Sequence, residues 1–471
     1  MGKKTLFLLA IAGCGGMLFD FGGTIIAPAI PYFEALGMFT ADEISRLTAA
    51  VVLTAALASL AAGPLAEKFG RKRSMLFAAA LAAVACLPIC GCNGDFRLFY
   101  AGRALQGVAA GLLGVIVPMY LAEALPAADR GKGAGVFQFM DVAGILFCSV
   151  VGFAVVKIVG PADSAAVGDA AKTVAWKTIF WSSAAPAVLF FLGALGLGES
   201  PVWLARKNRR DDSAVRPSTP GLRHKDSLLR RKYVYPFVLA VVVLACNQAT
   251  GINSMQYYAL KMFQDAGLSN AAANVGFMAF TGLMLAMTAV ACALVDRTGR
   301  KRLMKAGTAG IVVSHLAAAA VFLAIDAGTL AKGPLAGWLV VGALLCFIAA
   351  FSLGPGVVVW LALSELMPNR IRANGMAIAM FINMMVAYLI ADRMLALVEK
   401  FGYAPVMIGF AGATVVYFVV AALFLPETKG RTLEEIERFF EKRREAASPA
   451  VRPAESPRPE LNLDSRTKSK V

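Results

Sequence analysis

Gly63-Pro64-Leu65-Ala66-Glu67-Lys68-Phe69-Gly70-Arg71-Lys72-Arg73 is a charged turn between two apolar runs, and the chain uses it twice. In the second half, Asp296-Arg297-Thr298-Gly299-Arg300-Lys301-Arg302 repeats its core. The first turn follows the second apolar run and the other follows the eighth. Two further pairs recur in phase. Glu123 … Pro126 … Arg130-Gly131 after the fourth run matches Glu365 … Pro368 … Arg372 after the tenth. Gly198-Glu199-Ser200-Pro201 after the sixth matches Pro426-Glu427-Thr428-Lys429-Gly430 after the twelfth. Matches at equivalent places indicate two parallel copies of a six-span unit, with a site between them.

The composition agrees. Of 471 residues, 58% are hydrophobic and 16% charged, and the mean hydropathy is +0.67. A soluble domain carries about a quarter charged residues. Windows of about 20 apolar residues predict spans near 5–28, 46–66, 74–92, 98–124, 134–158, 178–197, 234–260, 271–295, 303–325, 337–363, 373–397 and 404–425. The predicted fold is an all-α membrane protein of twelve helices in two pseudo-symmetric bundles.

The net charge of +16 sits in alternate loops. Lys3, Lys4, Lys68, Arg71 to Arg73, Arg130, Lys132, the run from Arg206 to Lys232, Arg297, Arg300 to Arg302, Arg370, Arg372 and the tail from Lys429 share one face. The other face holds few, among them Arg97, Lys157, Lys172, Lys177, Lys261, Lys332 and Lys400. The richer face is expected in the cytoplasm, with both termini, in a multi-pass protein of the cell membrane. No basic, aromatic-interleaved face suggests nucleic acid.

The expected divisions are an N-terminal bundle over 1–198, a cytoplasmic linker with short helices over 199–232, a C-terminal bundle over 233–425 and a tail over 426–471. The tail is rich in Pro, Ser and charge after about 444, a composition that favours disorder. Lys3-Lys4 with Ile11-Ala12-Gly13-Cys14 imitates a lipoprotein signal, but the apolar run continues to Ile30, so a retained span is expected. The eight cysteines read as small buried hydrophobes, although Cys90-Gly91-Cys92 has the spacing to pair or bind metal. His224 and His315 suggest no metal site. There is no Ser–His–Asp set, phosphate loop or soluble carboxylate pair, so neither an enzyme nor a cofactor is expected.

Within the seventh span lies Asn247-Gln248-Ala249-Thr250-Gly251-Ile252-Asn253-Ser254-Met255-Gln256-Tyr257-Tyr258. Amides and hydroxyls are costly in hydrocarbon without partners, and Gly251 weakens the helix. Such a patch serves a midplane binding site or glues helices together.

More motifs join these. They are Gly102-Arg103 … Gly107, Pro118-Met119-Tyr120-Leu121-Ala122-Glu123, Gln138 … Gly144-Ile145, Glu199-Ser200-Pro201, Gly354-Pro355-Gly356 with Trp360, and Pro426-Glu427-Thr428-Lys429-Gly430-Arg431. With the amide stretch they make the chain resemble the sugar porters of the major facilitator superfamily, across nearly its whole length. The resemblance implies a pocket for a sugar or polyol lined by Gln138, Asn247, Gln248, Asn253, Trp360 and Asn383, with Tyr257 and Tyr258 at an outer gate. Amides donate and accept, as sugar hydroxyls do, and an aromatic stacks on the apolar ring face.

It also implies an inner-face charge network of Glu67, Arg71, Glu123, Arg130 and Glu199, repeated as Asp296, Arg300, Glu365, Arg372 and Glu427. Such links would join helices while the inner side is closed and break as it opens; static stitching is the alternative. The chain departs from the family pattern at Glu67 for Asp, Val202 for Arg, Asn247 for Gln, Met284 for Asn, Ser352 for an acid and Met384 for Trp. These changes leave room for a monosaccharide other than glucose, a deoxy sugar or a polyol.

Proton-coupled members pair an acid on the first span with an Arg on the fourth, which here gives Asp20 and Arg103. The register of Asp20 has two readings, one placing it at the coupling position and one two residues early. Two residues turn a helix by about 200°. Asp141, three residues after Gln138, is a second acid where the family has an apolar residue. The expected function is import of a monosaccharide or polyol with a proton, by alternating access, in a monomer within the lipid bilayer. The alternatives are an uncoupled facilitator and, less favoured by the motifs, a nutrient sensor or a drug efflux carrier.

Overall fold

The computed structural model describes residues 3–125, 130–212, 231–367 and 372–427. Among them there are helices and no strands. Twelve are long and apolar enough to cross a membrane: Thr5–Thr24, Ala41–Phe69, Arg71–Gly91, Phe96–Ala124, Gly135–Ile158 and Asp169–Leu195, then Tyr233–Asp265, Asn270–Val295, Arg300–Asp326, Pro334–Leu363, Gly375–Phe401 and Tyr403–Leu423. Every predicted span is present. The first ends at Thr24 rather than 28, because Pro28 and Pro31 cannot continue its hydrogen-bond ladder. A short helix, Ile30–Ala35, follows. Of the linker, a helix Pro201–Asp212 is described; 213–230 and the tail from 428 lie outside the described residues. All eight cysteines are free, so Cys90 and Cys92 do not pair.

The spans pack through small residues. A methyl added to Gly111 on the fourth span would lie 2.3 Å from the Ala55 carbonyl oxygen on the second. One added to Gly16 on the first would lie 2.4 Å from the Phe137 carbonyl oxygen on the fifth. Lipid tails are as apolar as leucine, so close backbone approach, rather than escape from water, holds such helices together. Leu189, Leu192, Val313 and Val416 point outward, as a lipid-facing belt requires.

The buried apolar residues form three cores, and their placement shows how the halves meet. One core spans both halves: it joins Ile25 to Phe33, Ile44 to Val52 and Val142 to Val156 with Ile252 to Phe263, Phe277 to Met284 and Ala387 to Leu395. It occupies the face opposite the basic loops. Toward the basic face the core divides. One part holds only first-half residues, from Leu8 through Ala62 and Tyr120 to Leu197. The other holds only second-half residues, from Leu239 through Val295 and Val358 to Leu425. Among the described residues, the bundles thus share one apolar core on one side and keep separate cores on the other. Further links tie the sealed side: Lys261 Nζ to Glu34 at 2.7 Å, the Asn270 N–H to Asp163 at 2.8 Å, and the Leu395 N–H to Ser45 Oγ at 3.3 Å.

Candidate functional site

The amide stretch is a broken helix. One segment ends at Ala249 and the next begins at Ile252. Gly251 between them is left-handed, with φ 79°, a conformation costly for any residue with a Cβ. The break frees the Thr250 carbonyl, which lies 2.9 Å from His315 Nε2 on the ninth span. A carbonyl only accepts, so Nε2 carries the proton. His315 is 1% exposed and packs with tilted rings against Phe347 at 4.8 Å and Phe410 at 5.8 Å.

The tenth span breaks beside it. Its first helix ends at Leu353, and Pro355 starts the next. Asn247 Nδ2 donates to the Pro355 carbonyl at 3.4 Å, tying the two breaks together. Gln248 is buried with Oε1 unbonded, and the hydroxyls of Ser254 and Ser352 are likewise buried and unbonded. Asn253 and Trp360 are half-buried, and Asn383 is 3% exposed. A buried polar atom without a partner costs about 1–3 kcal/mol, so this group has hydrogen-bonding capacity to give to a solute.

Gln138, from the other half, donates Nε2 to Asp141 Oδ2 at 3.1 Å on its own helix. Tyr257 and Tyr258 meet edge to face at 6.5 Å within the core that seals the halves. The Tyr258 hydroxyl donates to the Ala391 carbonyl at 3.2 Å. A methyl on Gly23 would lie 3.3 Å from the Tyr257 hydroxyl oxygen, so this tyrosine reaches the first span of the opposite half.

Arg103 is fully buried, and it is not paired with Asp20, the pairing that one of the two registers implies. Its guanidinium donates to the carbonyls of Gly22, Gly23 and Leu47 and to Gln106 Oε1. The reason lies in the early end of the first span. Its last carbonyls have no intrahelical partners and carry the negative end of the helix dipole, so a cation caps them well. Asp20 lies instead within electrostatic reach of Asp141.

The charge network forms within each bundle. Arg71, 1% exposed, grips Glu123 with two bonds of 2.9 Å and Glu67 with one of 2.7 Å. Glu199 accepts the backbone N–H groups of Arg71 and Lys72 at 2.9 and 3.1 Å. The second half repeats this: Arg300 meets Glu365 at 3.1 Å, and Glu427 accepts the N–H groups of Arg300 and Lys301 at 3.0 and 3.2 Å. In each case a carboxylate caps the N-terminus of the span after the turn. A side chain at Gly70 or Gly299, both at φ 95°, would collide with that carboxylate. Ser200 Oγ bonds Glu123 and Trp203 Nε1 donates to the Glu67 carbonyl at 2.9 Å, so the first network closes without a basic residue at Val202. The side chains of Arg130, Asp296 and Arg372 lie outside the described residues. The pairs Arg71–Glu123 and Arg300–Glu365 persist although the cores on this face are separate. By themselves they do not mark a closed state.

A family model described as sugar (and other) transporter matches residues 39–440. The chain belongs to the sugar porter family. Among its relatives, the plastidic glucose transporter 4 of Arabidopsis thaliana is 30% identical over 463 residues, covering 91% of this chain and 79% of that protein. A D-xylose transporter of Levilactobacillus brevis is 27% identical, covering 92% and 95%. The crystal structure of a D-xylose-proton symporter superposes with a TM-score of 0.74 at 25% identity, covering 91% of this chain and 99% of that one. The protein is therefore a transporter of the major facilitator fold and not an enzyme. Within this porter, Met284 takes the Gln256 amide on its sulfur at 3.5 Å, where the family tends to place Asn. Sequence reasoning missed His315 as a support of the break. A lone histidine in an apolar span was the available signal.

Proposed function

We propose that this sugar porter imports a monosaccharide or polyol together with a proton, through a site between the seventh and tenth helix breaks and Gln138. The observation that carries the reading is the group of buried, unsatisfied polar atoms around Thr250–Gly251, on the line where the sealed core gives way to two separate ones. An alternating-access carrier places its solute at such a point. Relatives named for glucose and D-xylose transport support a sugar as the solute. With the basic face in the cytoplasm and both termini inside, the state described here is closed outward and open inward. Rocking the bundles the other way would open the Glu34–Lys261 side.

The uncoupled facilitator keeps one observation in its favour: Arg103 is committed to carbonyls and leaves Asp20 without its expected cation. Purified protein in proteoliposomes separates the two readings. Under symport, D-xylose or D-glucose uptake alkalinises the outer medium and follows an imposed proton gradient, and Asp20→Asn abolishes accumulation. Uptake indifferent to the gradient would establish the facilitator.

A further inference from the structure

The seam between the first and fifth spans holds a second acid that the family pattern does not use. These helices touch backbone to backbone at Gly16–Phe137 and again where a methyl on Gly144 would lie 2.4 Å from the Met17 carbonyl oxygen. Asp20 is four residues beyond Gly16 and Asp141 is four beyond Phe137; the two spans run the same way, so both acids lie one turn further along the same seam. Asp141 is 5% exposed. Its Oδ2 accepts from Gln138, whereas its Oδ1 is buried with no partner.

Among the described residues, the surroundings supply no neutralising cation. From the fourth span, Arg103 is turned to carbonyls, beside Gln106. From the other half comes the Tyr257 phenol, within electrostatic reach of both acids. On the fifth span Cys148 is buried seven residues beyond Asp141, and the eighth span presents the Thr281 hydroxyl, bonded to Ser149 at 2.7 Å. Trp176 and Phe180 of the sixth span are apolar and buried. Two carboxylates side by side in such a place do not both stay ionised.

We propose that Asp20 and Asp141 hold one proton between them, and that Asp141 relays its presence to the solute through Gln138. In the ionised state, Asp141 accepts the Gln138 N–H and leaves the amide oxygen to face the solute. When the shared proton passes from Asp20 to the Asp141 carboxylate, the Asp20 O–H bond breaks and the new Asp141 O–H donates to the Gln138 oxygen. The amide then rotates and presents its N–H groups instead. No other bond is made or broken. The relay rests on the sugar-site reading above; the shared proton does not.

The test is infrared titration of buried carboxyl groups in the full-length protein in lipid nanodiscs, with wild type, Asp20→Asn, Asp141→Asn and Asp141→Glu compared. The expected wild-type spectrum contains a protonated carboxyl band whose midpoint moves by about a pH unit or more in either Asn variant, and Asp141→Glu restores the coupled titration. Absence of such a band between about pH 5 and 9, or a midpoint unmoved by one of the Asn variants, overturns the shared proton. In proteoliposomes with D-xylose and D-glucose, the steady-state accumulation ratio falls to about one in Asp141→Asn and recovers in Asp141→Glu. Accumulation unchanged by Asp141→Asn, or driven by a sodium gradient alone, overturns the relay. A wild type that carries neither these sugars nor myo-inositol overturns the proposed function and the relay together, while the infrared titration still decides whether the two acids share a proton.

Discussion

Gly251 and His315 shape the site from opposite sides. Gly251 supplies a left-handed turn with the Phe410 ring 2.9 Å from where a Cβ would sit. Gly251→Ala therefore combines backbone strain with overpacking, and about 2–4 kcal/mol of destabilisation is expected. Thermal unfolding in detergent should show a clearly lower Tm; an unchanged Tm would mean the break tolerates a side chain. His315→Leu keeps the apolar stack but orphans the Thr250 carbonyl, at about 1–3 kcal/mol, and Tm again reads the loss. The amides were legible in the sequence because polar groups in an apolar run have few cheap explanations. The role of His315 was not, since its partner lies 65 positions away in the chain and only the packing of the ninth span against the break brings them together. Asp20 shows a second limit. Its register was ambiguous by two residues, and the direction in which Arg103 points depends on where the first span ends.

Among elements, the repeated turns were the most readable feature. Charge placed next to glycine recurs because a carboxylate must reach the N-terminus of the following helix in both halves. The opposite face was barely readable. Lys261 stood there as one of a few scattered basic residues, yet it bridges the halves to Glu34. With side chains 17% and 38% exposed, the pair contributes about 0.2–1 kcal/mol. Lys261→Glu replaces attraction by repulsion and should shift the population toward outward opening by up to several-fold. Adding Glu34→Lys should restore the balance. Distances between spin labels on the two bundles check this: no shift in the single variant, or no recovery in the swap, would remove the pair from the outer closure.

At the scale of the molecule, one shared core and two separate ones describe a carrier caught on one side of its cycle. The twelve spans followed from apolar run lengths, and the pairing of the bundles from the repeats. The state did not, because both states bury similar residues against different partners and a single sequence must serve both. Equally, Met284 and Ser352 could be seen to depart from the family, but their effect on the solute depends on the pocket in both states. All of this turns on whether the broken seventh span carries a sugar across. Counterflow of radiolabelled D-glucose, D-xylose and myo-inositol in proteoliposomes, comparing wild type with Gln248→Ala, addresses that question without an intermediary. The wild type should exchange at least one of these saturably, and the variant should bind it with an apparent affinity about tenfold weaker, the loss of one or two hydrogen bonds. No exchange of any of the three above empty liposomes, or exchange with unchanged affinity in the variant, would contradict a sugar site at the break.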